Sequence, residues 1–310
     1  MNHIRLKKLF EQPPMEYRSI PFWSWNDDMQ QEELDRQVQG FKAQGMGGFM
    51  IHVREGLEIP YMQEAFMERV RQTVETARQE GVYAWLYDED RYSSGMGGGQ
   101  VPQLGGDDVR AKALTIEVSD EIQMDAMVLA VYEANVHDGT IHSYTLLDLE
   151  NTERNQKLEE GCVYLVFRRE IAVANDWCHG DTYTDNLNPR STELFIQSTY
   201  EAYREAVGHA FGKTVPGIFT DEPSIRGFSE VTHTDRAWTS WTDKFPEYFK
   251  AKNGYDFWKV LPGMAQIKRD STIGRRLRNF SAKRIRNPSV TGAMQTVCNL
   301  PATSIPKGAC

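Results

Sequence analysis

The first hundred residues alternate between short apolar runs and longer stretches whose apolar positions recur at helical spacing. The apolar runs predict strands at 21–25, 47–53 and 82–90. One helix is predicted from Asp27 or Asp28 to about Gly45. A second is predicted over 64–80, ending at Gly81, a residue suited to a left-handed C-cap. This alternation is typical of βα units around a parallel sheet.

The pattern changes after residue 100, where β-like runs follow one another with no helical segment between them. These runs lie at 112–118, 126–136, 140–147 and 162–173. They predict an antiparallel β insertion between about 101 and 180. The βα pattern then resumes, with Asn188 and Pro189 opening a helix that runs to about residue 211. A fourth parallel strand is predicted at 215–223, so the fold class is α/β.

Polar and ionisable residues occur where each predicted parallel strand ends. They are Asn26, His52, Arg54, Asp88, Glu89, Asp90, Asp221 and Glu222. Because the carboxyl ends of parallel strands share one edge, these side chains are expected on the face where active sites form. Glu222, beside a second acid, fits a general acid or base best, since burial and a like charge raise a carboxyl pKa.

Aromatic residues cluster near the same strand ends and would stack on the apolar faces of sugars, while acids and His52 bind hydroxyl groups. They are Trp23, Trp25, Tyr61, Trp85, Tyr87 and Tyr92. Structural interpretations stay open beside this one: Asp221-Glu222-Pro223 is also a common turn, and Trp85 and Tyr87 suit a core. The glycine-rich segment 94–99 lacks the context of a phosphate loop and is interpreted as a flexible lip.

Composition excludes several classes of protein. The chain has 310 residues and a net charge of -9, which argues against a nucleic-acid or anionic-membrane partner. It has no run of about 18 apolar residues for a membrane span, and no apolar segment typical of a secretory signal follows its first lysines. Its four cysteines fit neither a disulfide framework nor a zinc site. These features predict a cytoplasmic protein.

Five motifs in order resemble the bacterial glycoside hydrolases grouped with the α-L-rhamnosidases, large enzymes built on a (β/α) barrel. They are PFWSWN, QGMGGFMIHVREGLEIPY, WLYDEDRYSSGMGGG, DNLNPRSTELF and GKTVPGIFTDEP. The resemblance covers about residues 15–260 and implies inverting hydrolysis of a terminal glycosidic bond, with Glu222 as general acid. It also implies a carbohydrate substrate and allows a calcium ion, although no calcium loop is recognisable. The sugar subsite that the resemblance implies contains His52, Arg54, Asp88 and Glu89, and the pattern of strand-end acids and aromatics adds Asp221, Trp25 and Tyr61 as substrate-binding residues.

The chain departs from this family after the fourth strand, because a complete (β/α)8 TIM-type barrel needs eight βα units and only about the first four are present. The second catalytic carboxylate is expected on a later strand. The predicted divisions are 1–100 (first part of the barrel), 101–185 (β-rich insertion), 186–277 (barrel continuation) and 278–310 (an aberrant, disordered basic tail). Open sheet edges in such a half barrel predict self-association.

The composition of the basic tail suggests that the end of this chain is read in a shifted frame. Residues 271–310 contain no Asp or Glu, which is typical of a disordered extension. Back-translation of 287–304 in a shifted frame gives a segment like the family's next helix and strand. A frameshift near Arg278 would therefore have replaced the rest of a longer enzyme, leaving this chain weakly active or inactive. Two alternatives stay open: a β-galactosidase-like retaining hydrolase, and a non-catalytic carbohydrate-binding fragment.

Overall fold

A computed structural model describes residues 3–137, 139–150, 158–227 and 236–264. The strands are β1 (Phe22–Trp25), β2 (Gly48–Val53), β3 (Tyr83–Tyr87), β4 (Lys112–Ser119), β5 (Val128–His137), β6 (Thr140–Leu146), β7 (Cys162–Ile171), β8 (Ile218–Phe219) and β9 (Ala237–Trp241). The α-helices are α1 (His3–Glu11), α2 (Gln31–Ala43), α3 (Glu64–Glu80), α4 (Gln100–Gly105), α5 (Pro189–Phe195), α6 (Glu201–Val207), α7 (Phe245–Asn253) and α8 (Leu261–Met264).

The first sheet has four parallel strands in the order β1-β2-β3-β8, which is also their order in the chain. One face packs against α2, α3 and α6 through side chains that alternate along the strands. These include Trp23, Trp25, Phe49, Ile51, Ala84 and Leu86. The predicted α3 is confirmed at both ends, and Gly81 closes it with a φ of 66°. Helix α2 begins later than predicted, with Gln30 rather than Asp27 or Asp28 at its N-cap.

The second sheet has five antiparallel strands in the order β6-β5-β7-β4-β9. The predicted antiparallel insertion supplies four of them. Its fifth strand, β9, follows the fourth parallel strand in the chain and pairs with β4, so the chain returns to this sheet. Helix α7 contributes Phe249 to the apolar cluster on one face of the sheet, together with Leu165, Phe167 and Trp241.

A long helical segment joins the two sheets. Asn188 caps it by accepting a hydrogen bond from the Arg190 N–H, and Pro189 occupies its first turn. Between α5 and α6 the backbone forms a π-helical segment over Ile196–Tyr200. Such a turn holds one more residue than an α-turn and changes the direction of the side chains that follow.

The architecture is mixed α/β, with one parallel and one antiparallel sheet, and across the described residues neither sheet closes into a barrel. The predicted tail at 278–310 and the segment read in the shifted frame lie outside the described residues. Within the described part of the chain, no helix is long and apolar enough to cross a membrane.

Candidate functional site

The carboxyl end of β3 carries Asp88, which is fully buried. Its carboxylate accepts three hydroxyl hydrogen bonds: from Ser94 at 2.6 Å, from Tyr200 at 2.7 Å and from Thr220 at 2.5 Å. Burial raises the pKa of Asp88, and these three hydroxyls oppose the rise by stabilising the charged form. Asp88 therefore ties β3 to the π-helical segment and to the end of β8.

Ser94 joins the loop after β3 to the loop after β8. Its N–H donates to the Asp221 carbonyl at 2.8 Å, and its hydroxyl oxygen accepts from the Asp221 N–H at 2.8 Å. The same hydroxyl donates to Asp88. Because all three contacts use one buried serine, the backbone immediately before Glu222 is fixed relative to β3.

Glu89 organises the glycine-rich segment. Its carboxylate is fully buried and accepts N–H bonds from Gly95, Met96, Gly97, Gly98 and Asp90 at distances of 2.5–3.0 Å. Burial raises the pKa of Glu89, while these N–H groups act in the opposite direction. Five backbone N–H donors converge on this one carboxyl group, as in the backbone nests that bind anions. The interpretation of the segment as a flexible lip is wrong, because this loop is hydrogen-bonded around a buried carboxyl group.

Asp221 belongs to an aromatic group on the face of the parallel sheet opposite α2 and α3. The Tyr87 hydroxyl donates to its carboxylate at 3.0 Å. His52 lies 4.2 Å from the Tyr87 ring and 4.7 Å from Phe22, measured between ring centroids. Burial lowers the pKa of His52 and the charge of Arg54 adds to this effect, so a neutral imidazole is favoured. Its Nδ1 is buried without a hydrogen-bond partner among the described residues.

Glu222 directly follows this group and is exposed, so the buried setting that the sequence argument expected for this acid is not found. Its φ is 43°, a left-handed conformation that is uncommon for a residue with a Cβ. Within the described part of the chain, no hydrogen bond or ion pair engages its carboxylate. Strained backbone conformations are found often at active sites, which makes the exposed Glu222 a candidate functional residue.

Trp25 does not lie where the sequence prediction put it. It is fully buried and packs edge-on against Trp23 and Phe66, so no ring face is open for a sugar. The physical reason is strand alternation, which turns Trp23 and Trp25 toward the helices. Tyr61 lies against Gly98, where an added Cβ would come within 2.5 Å of its ring.

The structure therefore brings Asp88, Asp221, His52 and Glu222 to one edge of the sheet, with Arg54 near His52. Sequence reasoning missed Ser94, Tyr200 and Thr220, because hydroxyl groups carry no distinctive spacing. The glycines of 95–99 were a usable signal for the Glu89 nest, since glycine is the residue that tolerates positive φ and all four of them adopt it.

The calcium ion that the resemblance allows has no assembled site among the described residues. The described ranges contain no group of three or more His, Cys, Asp or Glu side chains that could hold a metal ion.

Comparison with solved structures finds a rhamnosidase from Novosphingobium sp. PP1Y with a TM-score of 0.51 and 11% sequence identity. The match covers 83% of this chain and 42% of that one, so this chain spans less than half of the rhamnosidase's length. At this identity the similarity concerns the fold. No family model and no curated protein sequence matches the chain.

Proposed function

We propose that this chain is part of a glycoside hydrolase and that Glu222 is its general acid. The observation that carries the proposal is the open Glu222 carboxylate, held in a strained backbone conformation beside Asp221 at the carboxyl edge of a parallel sheet. That edge is where active sites of parallel α/β enzymes form. The similarity of fold to a rhamnosidase supports an α-L-rhamnosidase-like activity.

We further propose that the parallel sheet corresponds to the first four strands of a (β/α)8 barrel. Its spatial order follows the chain order, as successive barrel strands do. The antiparallel sheet would then be an insertion after the third barrel strand. The remaining strands would belong to a longer protein, from which the shifted frame at the C-terminal end separates this chain.

In the inverting mechanism, the Glu222 carboxyl donates its proton to the glycosidic oxygen as the bond to the anomeric carbon breaks. A second carboxylate removes a proton from the attacking water. In inverting enzymes the two carboxyl groups lie about 6.5–9.5 Å apart, which leaves room for this water. Among the described residues, the acids that the strand ends bring to this edge beside Glu222 are all hydrogen-bonded: Asp88, Glu89 and Asp221. This supports the proposal that the base lies on a later strand, in which case the 310-residue chain is weakly active or inactive.

The engagement of these three carboxylates also favours a second candidate, a non-catalytic carbohydrate-binding fragment. Its aromatic and acidic residues would hold a sugar without turning it over. In the hydrolase, Glu222 is required for turnover. In the binding fragment, Glu222 only lies near a bound glycan that is not hydrolysed.

The test compares the 310-residue chain with a version restored to the shifted frame and extended to its stop. Each is assayed with p-nitrophenyl α-L-rhamnoside and with an α-L-rhamnosyl disaccharide. In the restored protein, Glu222→Gln should lower the disaccharide rate by about 10²–10⁴-fold. The nitrophenyl rate should fall much less, because that leaving group needs little protonation. Glu205→Gln, at an exposed position on α6, is the matched control.

An inverted anomer as first product supports the mechanism, and a retained anomer favours the β-galactosidase-like alternative. Equal losses on both substrates would contradict the general-acid role. Binding without turnover in the restored protein would support the carbohydrate-binding candidate.

A further inference from the structure

The backbone is hydrogen-bonded on the C-terminal side of Glu222 as well as at Asp221. The Ser224 N–H donates to the Tyr183 hydroxyl at 3.1 Å. The Ser224 carbonyl accepts from the side-chain amide of Asn186 at 3.0 Å. The strained turn at Glu222 therefore lies between two residues whose backbone groups are held by other parts of the fold.

The Tyr183 hydroxyl connects the two sides of this turn. It donates to the Ser94 carbonyl at 2.7 Å and accepts from the Asn186 amide at 3.0 Å, in addition to the Ser224 N–H. A phenol hydroxyl has one donor and two acceptor positions, so all of them are used. Burial raises the pKa of Tyr183, which keeps the proton on this hydroxyl. Because Ser94 holds the residue before Glu222, one hydroxyl group joins both ends of the turn.

The side chain of Asn186 is oriented by its own contacts. Its Oδ1 accepts from the Thr184 hydroxyl at 3.1 Å, and its Nδ2 donates to both Tyr183 and Ser224. An added Cβ at Gly95 would come within 2.8 Å of the Asn186 Oδ1, so the loop after β3 packs directly against this amide. Asn186 thus supports Tyr183 and the Ser224 carbonyl together.

Tyr183 itself is held by the residues that precede β4. Its carbonyl accepts from the Ala111 N–H at 2.8 Å, and the Asp185 N–H donates to the Val109 carbonyl at 2.7 Å. Its side chain is only 6% exposed and belongs to a small apolar cluster that includes Met96. The start of the antiparallel sheet therefore fixes a tyrosine whose hydroxyl reaches the end of the parallel one.

We propose that Tyr183, supported by Asn186, is a positioning residue for Glu222. Its hydroxyl holds the backbone after Glu222 in the left-handed turn that directs the carboxyl group, since such a conformation persists only where the surroundings determine it. The proposal rests on the proposed function for the role of Glu222 as general acid. It gives the antiparallel insertion a part in the site that its distance along the chain does not reveal.

The first test measures residue-resolved hydrogen exchange in the 310-residue chain. Tyr183→Phe keeps the ring and removes the hydroxyl, so the Ser224 amide loses its acceptor and should exchange about tenfold faster. Exchange in β7 should stay unchanged. Tyr132→Phe is the matched control, because it removes another buried hydroxyl, one that donates to the Trp258 carbonyl away from Glu222. It should leave the Ser224 amide as it is.

The second test measures kinetics in the protein restored to the shifted frame. Tyr183→Phe should lower kcat on the α-L-rhamnosyl disaccharide by about tenfold with KM unchanged, because a displaced acid slows the step that needs its proton. The rate on p-nitrophenyl α-L-rhamnoside should fall by no more than about twofold. In the Glu222→Gln background, Tyr183→Phe should add no further loss on the disaccharide. Asn186→Ala should act in the same direction as Tyr183→Phe.

Unchanged exchange of the Ser224 amide in both Tyr183→Phe and Asn186→Ala would overturn the proposal. A full disaccharide rate in both variants, while Glu222→Gln loses its rate, would overturn it too. Equal losses on both substrates would show a general structural role instead of positioning. The proposed function fails separately, if Glu222→Gln keeps the disaccharide rate. In that case the Ser224 amide still decides whether Tyr183 holds this turn.

Discussion

The antiparallel and parallel sheets bury their side chains in different ways. The antiparallel sheet packs apolar residues on both faces, with Leu165 and Phe167 in one cluster and Tyr164 and Val166 in another. The parallel sheet packs one face in this way. Its other face carries His52 and Tyr87, and Phe22 there is 55% exposed.

This difference assigns stability mainly to the antiparallel sheet and the candidate functional site to the parallel sheet. Apolar packing on both sides leaves little room for ligands, whereas the carboxyl edge of the parallel sheet leaves Glu222 exposed next to the buried carboxyl groups of Asp88 and Glu89. The loops at that edge are held by buried carboxylates rather than by apolar contacts. Substitutions in the two sheets should therefore have effects of different kinds.

Phe167→Ala should produce the largest loss of stability. This ring is fully buried in the antiparallel sheet, and its removal leaves a cavity between Tyr132 and neighbouring apolar residues. We expect the free energy of unfolding to fall by about 3–5 kcal/mol. Urea unfolding followed by near-UV circular dichroism measures it. A loss below about 1 kcal/mol would show that this sheet is not the stabilising region.

Asp185→Asn tests the loop before α5, where Asp185 and Lys112 of β4 are both buried. Burial raises the pKa of Asp185 from 3.8 to about 6. The folded state then holds this proton more tightly than the unfolded chain, so the contribution to stability is full below about pH 3.8. It is lost as pH rises through about 6.

Because the asparagine cannot titrate, the wild type should lose about 2 kcal/mol relative to the variant between pH 4 and pH 7. Urea unfolding at each pH gives this difference. Asp28→Asn, at an exposed position, is the control and should show no such trend. A pH-independent difference for Asp185→Asn would contradict the assignment.

Glu89→Gln should loosen the parallel region without unfolding it. The new amide group would direct N–H donors at N–H donors of the glycine loop, which costs about 1–2 kcal/mol. Hydrogen exchange at Gly95–Gly98 should become faster, while exchange in β7 stays unchanged. Glu205→Gln again serves as control. Unchanged protection of the loop amides would remove Glu89 from its organising role.

Phe22→Ser should have the smallest effect on the monomer, within about 0.5 kcal/mol, since this ring is mostly exposed. The variant should reduce self-association more than it changes stability, because it removes exposed apolar surface from the sheet face opposite α2 and α3. Sedimentation velocity should show fewer oligomers than for the wild type. Tyr17→Ser, 77% exposed and outside the sheet, should leave the distribution as it is.

The periodic elements were accessible from sequence because their apolar spacing reflects the face that they bury. Strand β2 and helix α3 appear within one residue of their predicted bounds. Strand β9 was not predicted, since its sequence AWTSW alternates too briefly to stand out. Its pairing with β4 depends on a contact between residues more than 100 positions apart.

The site was accessible only in part. Acids at the ends of strands identify an edge, but sequence cannot tell which of them stay open. Glu89 accepts hydrogen bonds from backbone N–H groups, which every residue except proline has and which a sequence therefore does not reveal. The Glu222 carboxylate has no hydrogen-bond partner among the described residues. Trp25 illustrates the opposite error, because the alternation from Phe22 to Trp25 already assigned the two tryptophans to one face.

The π-helical segment Ile196–Tyr200 limits which insertions or deletions this part of the chain can accept. An extra residue in one turn is what a single in-frame codon insertion adds to a regular helix. Deleting one codon there would rotate everything after it by about 100° about the helix axis. Tyr200 would then lose Asp88, and Tyr203 would lose the Tyr87 carbonyl to which it donates at 3.0 Å. The length of this one turn therefore determines whether Tyr200 reaches Asp88 and Tyr203 reaches the Tyr87 carbonyl.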